Sequence, residues 1–91
     1  MADKTCVKAK IVNRLGLHAR PAMSFVDLAS TFASDIKVRR DDMEVDGKSI
    51  MQVMMLAASQ GSEVEIEAVG ADAEKACAAL KAMIDRGFDE E

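Results

Sequence analysis

Apolar and polar positions change period several times along the chain, and each change marks an element. From Cys6 to Val12 the pattern alternates, with Val7, Ala9 and Ile11 on one side and Lys8 and Lys10 on the other. A period of two predicts a half-buried strand. Asn13-Arg14-Leu15-Gly16 breaks the pattern as a loop. From about Ala19 to Phe32 the apolar positions recur at three and four: Ala22, Phe25/Val26, Ala29 and Phe32/Ala33. That spacing predicts an amphipathic helix.

Ile36 and Val38 alternate with Lys37 and Arg39, and Met43 and Val45 alternate with Glu44 and Asp46. These are two more strands, with Asp41-Asp42 suited to the turn between them and Asp46-Gly47 to the end of the hairpin. Ser49 to about Ala58 reads as a short methionine-rich helix, closed by Ser59-Gln60-Gly61. Val64, Ile66 and Ala68 alternate with Glu63, Glu65 and Glu67 as a fourth strand. A last helix is expected from about Asp72 to Asp85, with Ala73, Ala76/Cys77, Leu80 and Met83/Ile84 as its stripe and Gly87 as its stop.

The order is β-α-β-β-α-β-α. Every strand has one apolar face, so the expected fold is α+β, an antiparallel sheet covered on one side by helices. The other face is charged. If the first and fourth strands are neighbours, Lys8 and Lys10 should pair with Glu63, Glu65 and Glu67.

Composition narrows the function. The 91 residues are 49% hydrophobic and 31% charged, which suits one folded domain over residues 1–91. No apolar run approaches the ~20 residues that span a bilayer, and the start is polar, so neither membrane insertion nor a secretory signal is expected. The net charge of −4, with no Trp or Tyr and three Phe, disfavours nucleic acid. Such a chain offers no positive field to phosphate backbones and little to stack on bases. Cys6 and Cys77 form neither a disulfide framework nor a zinc pattern, and both are expected to stay reduced in a cytosol.

The one histidine, His18, lies in Leu15-Gly16-Leu17-His18-Ala19-Arg20-Pro21-Ala22-Met23, between a strand and a helix. Pro21 belongs in a first helical turn, where its missing N–H costs nothing. None of Gly16, Leu17, His18 and Ala19 is a Ser, Thr, Asp or Asn, so the usual side-chain cap is absent. The first amides of the helix, at Ala19 and Arg20, are then free to meet an anion. Arg20 adds a fixed positive charge suited to phosphate oxygens. No carboxylate lies near His18 in sequence to make an acid–base pair, no partner ligands suggest a metal, and no serine sits on a strained elbow. Histidine as nucleophile fits best. Imidazoles ordinarily titrate near ~6.5 and are largely neutral at pH 7, and an N–P bond is readily broken again.

Gly16-Leu17-His18-Ala19-Arg20-Pro21-Ala22 resembles the active-site signature of the HPr family, the histidine-containing phosphocarriers of the bacterial phosphotransferase system. The likeness extends over nearly the whole chain, including the element order, Lys48-Ser49-Ile50-Met51 and the tail helix. It implies an open-faced β-sandwich, a four-stranded antiparallel sheet with three helices on one face. It also implies phosphoryl transfer from enzyme I, charged by phosphoenolpyruvate, through His18 by its Nδ1, to enzyme IIA domains. His18 would be the phosphoacceptor and Arg20 its phosphate partner. By this resemblance the chain is a carrier and not an enzyme, a cytoplasmic monomer without cofactor.

Ser49-Ile50-Met51-Gln52 also reads as a capping box, serine at N-cap and glutamine at N3. In the family the serine of this segment is phosphorylated by HPr kinase/phosphorylase, which makes Ser49 a regulatory site able to recruit a transcriptional regulator. Val53, Leu56 and Ala57 fit the core face of this helix. Ile50, Met51, Met54 and Met55 then face solvent as a docking patch, and flexible methionines suit several partners. The tail Gly87-Phe88-Asp89-Glu90-Glu91 resembles the nitrogen-related branch of carriers, whereas Lys48-Ser49-Ile50-Met51 resembles the kinase-regulated sugar branch. The alternative to sugar-linked transfer is a regulatory module of the nitrogen-related branch, docking according to its phosphorylation.

Overall fold

The computed structural model describes residues 3–90. Its elements run β1 (Lys4–Lys10), α1 (Ala19–Ala29), β2 (Asp35–Arg40), β3 (Met43–Asp46), α2 (Ile50–Met55), β4 (Glu63–Val69) and α3 (Ala73–Asp85), followed by a 3₁₀ turn at Gly87–Asp89. The four strands form one antiparallel sheet in the order β1-β4-β2-β3. The expected α+β architecture and element order are therefore present.

The alternation fixes which face is covered. Ala9 on β1, Ile36 and Val38 on β2, Val45 on β3, and Val64, Ile66 and Ala68 on β4 are all buried. They meet Ala22, Phe25 and Ala29 of α1, Val53 of α2, and Ala76, Cys77, Leu80 and Ile84 of α3. Removal of this apolar surface from water is the main stabilising term. Cys77 behaves as a small core hydrophobe, its thiol pushed up by burial, while Cys6 is exposed.

The charged face departs from expectation. Lys8 does lie opposite Glu65, and Lys10 opposite Glu63. Yet Glu65 and Glu67 bond elsewhere, and Glu63 makes no ion pair among the described residues: Arg39 on β2 reaches Glu44, Glu65 and Glu67, and Lys4 lies 3.5 Å from Glu67. Arg39 stands opposite Glu65 across the other edge of β4, and its planar fork holds several oxygens at once, which a lysine ammonium does less well.

Three elements also change their bounds. β1 begins at Lys4 rather than Cys6 and its ladder ends at Lys10, although Ile11 keeps bonds to Ser62 and Gly61. α1 ends at Ala29, not Phe32. The Thr31 and Phe32 amides turn back to Leu28 and Ala29, and the next two amides, of Ala33 and Ser34, bond the Asp72 carboxylate. α2 ends at Met55 because the backbone turns left-handed at Ala57 (φ +49°), which carries Ala57 out to solvent and buries Ala58 instead.

Candidate functional site: the uncapped start of α1

The segment after β1 is fastened before it reaches His18. The Gly16 amide donates to the Asn13 carbonyl at 3.1 Å, and the Asn13 side-chain amide donates back to the Gly16 carbonyl at 2.7 Å. Gly16 has φ +69°, and a Cβ there would stand 2.5 Å from the Ala58 carbonyl oxygen. Only glycine fits both the backbone angle and that approach. The Leu17 amide then donates to the Ala58 carbonyl at 2.8 Å, and the Leu17 side chain is buried. The loop is thus anchored to the chain that leaves α2.

His18 follows as the N-cap of α1, in extended backbone (φ −82°, ψ −172°). Its carbonyl accepts the first helical bond, from the Ala22 amide at 2.9 Å, but its side chain caps nothing. Pro21 has no N–H to satisfy. Among the described residues, the Ala19 and Arg20 amides have no acceptor. These donors, with the positive end of α1, are what an anion would meet. The imidazole is 37% exposed and Arg20 lies on the surface beside it.

The structure adds a carboxylate that the local sequence does not announce. Glu90 Oε1 lies 3.0 Å from His18 Nε2 and 3.1 Å from the Asn13 side-chain nitrogen that donates to it. The bond with His18 holds the Glu90 carboxyl below the usual carboxylate range, aided by Asn13 and by the charge of Arg20. No spacing rule could have paired residues 72 positions apart. Gly87 was the one available clue, since a helix stop lets the tail turn back.

Ser49 is the N-cap of α2 and accepts the Gln52 amide at 3.3 Å. The capping box is only half made: the Gln52 side-chain oxygen accepts the Asp46 amide, and the Ser49 amide donates to the Asp46 carbonyl. The hairpin end thus takes both the acceptor and the donor that would have completed the box. Val53 on α2 and Leu56 at its C-cap are buried, while Met51, Met54 and Met55 are exposed. Ile50 does not face solvent freely; it packs partly against the core. Leu15 and Met23, which flank the histidine, are also exposed large apolar side chains that the helical stripe did not mark. α1 and α2 pack together, and the Leu17 amide after β1 bonds the Ala58 carbonyl just past α2.

The site is thus the chain's one histidine at the uncapped start of a helix, on an open-faced sandwich. A family model described as the PTS HPr component phosphorylation site matches residues 6–86. The chain is 47% identical over 81 residues to the phosphocarrier protein HPr of Neisseria meningitidis, covering 89% of this chain and 91% of that protein. It is 42% identical over 85 residues to the phosphocarrier protein NPr of Proteus mirabilis, covering 92% and 94%. A crystal structure of HPr from Thermoanaerobacter tengcongensis superposes with a TM-score of 0.92 at 47% identity, covering 96% of this chain and 98% of that one. The chain belongs to the HPr family, the phosphocarriers of the phosphotransferase system.

Proposed function

We propose that His18 is the phosphoacceptor, taking a phosphoryl group from phosphorylated enzyme I and passing it to enzyme IIA domains. The observation that carries this reading is the half-exposed His18 imidazole at an N-cap whose next two amides lack acceptors. The imidazole lone pair forms the N–P bond as the bond from phosphorus to the donor breaks, and the electron pair leaves with the donor. Onward transfer reverses these roles at the next protein. The Ala19 and Arg20 amides and the Arg20 guanidinium would hold the phosphoryl oxygens. Met51, Met54 and Met55, with part of Ile50, form the partner-docking surface, and Leu15 and Met23 extend it.

In this reading the chain is a single carrier domain working in the cytoplasm, not a catalyst with turnover on a small substrate. Ser49 is a regulatory site for HPr kinase/phosphorylase. A phosphate there adds about −1.5 to −2 charge units beside the docking methionines, altering partner choice rather than the fold.

Incubation with enzyme I and phosphoenolpyruvate should add one acid-labile, base-stable phosphate. His18→Ala should abolish it, and label persisting in that variant would reject the site. Arg20→Ala should slow labelling with the melting temperature nearly unchanged, because an exposed arginine contributes little to folding. HPr kinase with ATP should give an acid-stable phosphate that Ser49→Ala removes. A second reading rests on the tail, which resembles the nitrogen-related branch: a docking module that passes on little phosphate. Transfer of label from the phosphorylated chain to enzyme IIA domains separates the two.

A further inference from the structure

We propose that Glu90 is a positioning residue that fixes the tautomer of His18 and so makes Nδ1 the nucleophile. The proposal rests on His18 being the phosphoacceptor. An ionised carboxylate has acceptors only. Glu90 is kept ionised by its surroundings, and its Oε1 faces His18 Nε2 at 3.0 Å. The bond therefore requires the ring proton on Nε2. In the neutral imidazole the other nitrogen, Nδ1, then carries the lone pair.

Glu90 is itself held. The Asn13 side-chain nitrogen donates to Glu90 Oε1 at 3.1 Å and to the Gly16 carbonyl at 2.7 Å, so the carboxylate is tied to the loop that carries His18. Asn13 is buried, which makes this a fixed support. The backbone also goes to some length to return the carboxylate. Gly87, Phe88 and Asp89 are left-handed in succession, at φ +64°, +56° and +60°, with the Phe88 ring buried beneath them. Two non-glycine residues in that region cost about 1–2 kcal/mol each, so the turn persists only because its contacts hold it.

The consequence for chemistry is specific. As Nδ1 bonds to phosphorus, the bond from phosphorus to the phosphorylated donor protein breaks and its electron pair leaves with the donor. Nε2 keeps its proton, the ring becomes a phosphorylated imidazolium, and Glu90 faces the positive charge that develops. Without Glu90 the ring would populate both tautomers, and the one protonated on Nδ1 cannot attack from that nitrogen.

The test is nitrogen-15 NMR of the histidine-labelled full chain, above the titration range of an ordinary imidazole, alongside phosphorylation by enzyme I. The parent protein should show a single tautomer protonated on Nε2. Glu90→Ala should show a mixture and a maximal phosphorylation rate lowered about tenfold, the lower end of what loss of a histidine's orienting partner costs. KM for enzyme I should stay the same. Glu90→Gln keeps an oxygen acceptor at the same place and should keep the tautomer and most of the rate. An unchanged tautomer in Glu90→Ala, or a full rate in that variant while His18 is still labelled, would overturn the role of Glu90. Failure of the parent His18 to be labelled at all would overturn the phosphoacceptor reading instead, and the tautomer measurement would still judge Glu90 alone.

Discussion

Asp72 does more than its place in the sequence suggests. It occupies the N-cap of α3 but caps nothing there; its carboxylate instead accepts the amides of Ala33 and Ser34, at 2.8 and 2.9 Å, and the Ser34 hydroxyl. These bonds tie the start of α3 to the segment leading into β2 and hold the Asp72 carboxyl down at about 2, with the Ser34 hydroxyl bond the largest cause. An unfolded aspartate titrates near about 3.9. The folded state therefore binds fewer protons in this interval, so the contribution is complete above the unfolded value and is lost as pH falls toward about 2. Denaturation across that range should find the parent more stable than Asp72→Ala at pH 5 and above, with the gap closing on acidification. A gap that stays constant with pH would mean that the carboxylate's ionisation is not what ties the two segments. Neither this bond nor that between Glu90 and His18 was legible in the sequence. Propensity and period describe neighbours along a chain, whereas these partners are 38 and 72 positions apart. His18, Arg20 and Pro21 were legible because their meaning is local: a missing cap, a fixed charge and a proline that tolerates only a first turn.

At the scale of the element, α2 separates core from contact surface most sharply. It has six residues, too few to be stable alone, so its helicity depends on the face it buries. Val53 is fully buried and Met51 is 77% exposed, two positions apart on opposite sides. Val53→Ala should cost about 2 kcal/mol in a denaturant titration, for lost burial and the space left behind. Met51→Ala should change stability by less than about 0.5 kcal/mol and instead raise KM in phosphoryl transfer from enzyme I. If Met51→Ala lowers stability as much as Val53→Ala does, or leaves KM untouched, that side of α2 is not a docking surface. The sequence assigned Val53 and Leu56 to the core correctly because a helical face follows from spacing alone. It misplaced Ala57, since spacing assumes the helix continues, and this one ends in a left-handed turn after Met55. It also left Ile50 too exposed, because a first-turn side chain packs according to what lies beside the helix end.

For the whole molecule, the strand order decides which charges meet, and order is what alternation cannot supply. The one-sided pattern of each strand implied an antiparallel sheet with a charged outer face. It did not imply that β4 would lie between β1 and β2, and that placement gives Glu65 and Glu67 a second set of neighbours. Arg39 then serves as the shared cation for carboxylates on β3 and β4, and its bonds draw the Glu67 and Glu44 carboxyls below their usual range. Arg39→Ala would leave Glu65 without its cation and Glu44 and Glu67 with only the exposed Lys37 and Lys4, in a protein already at net −4. Repulsion among exposed charges is screened by salt, with a Debye length of about 10 Å at 0.1 M and about 3 Å at 1 M. Urea titrations, which leave ionic strength free to vary, should show the variant's midpoint well below the parent's in dilute buffer. The difference should narrow as sodium chloride is raised. The core beneath is apolar and indifferent to that salt range by comparison, so a midpoint deficit that does not narrow would place the loss in Arg39's packing rather than in its charge. Enzyme I should still phosphorylate the variant at the parent's rate, because the network lies on the open face of the sheet while the His18 loop is fastened to Ala58 and Glu90.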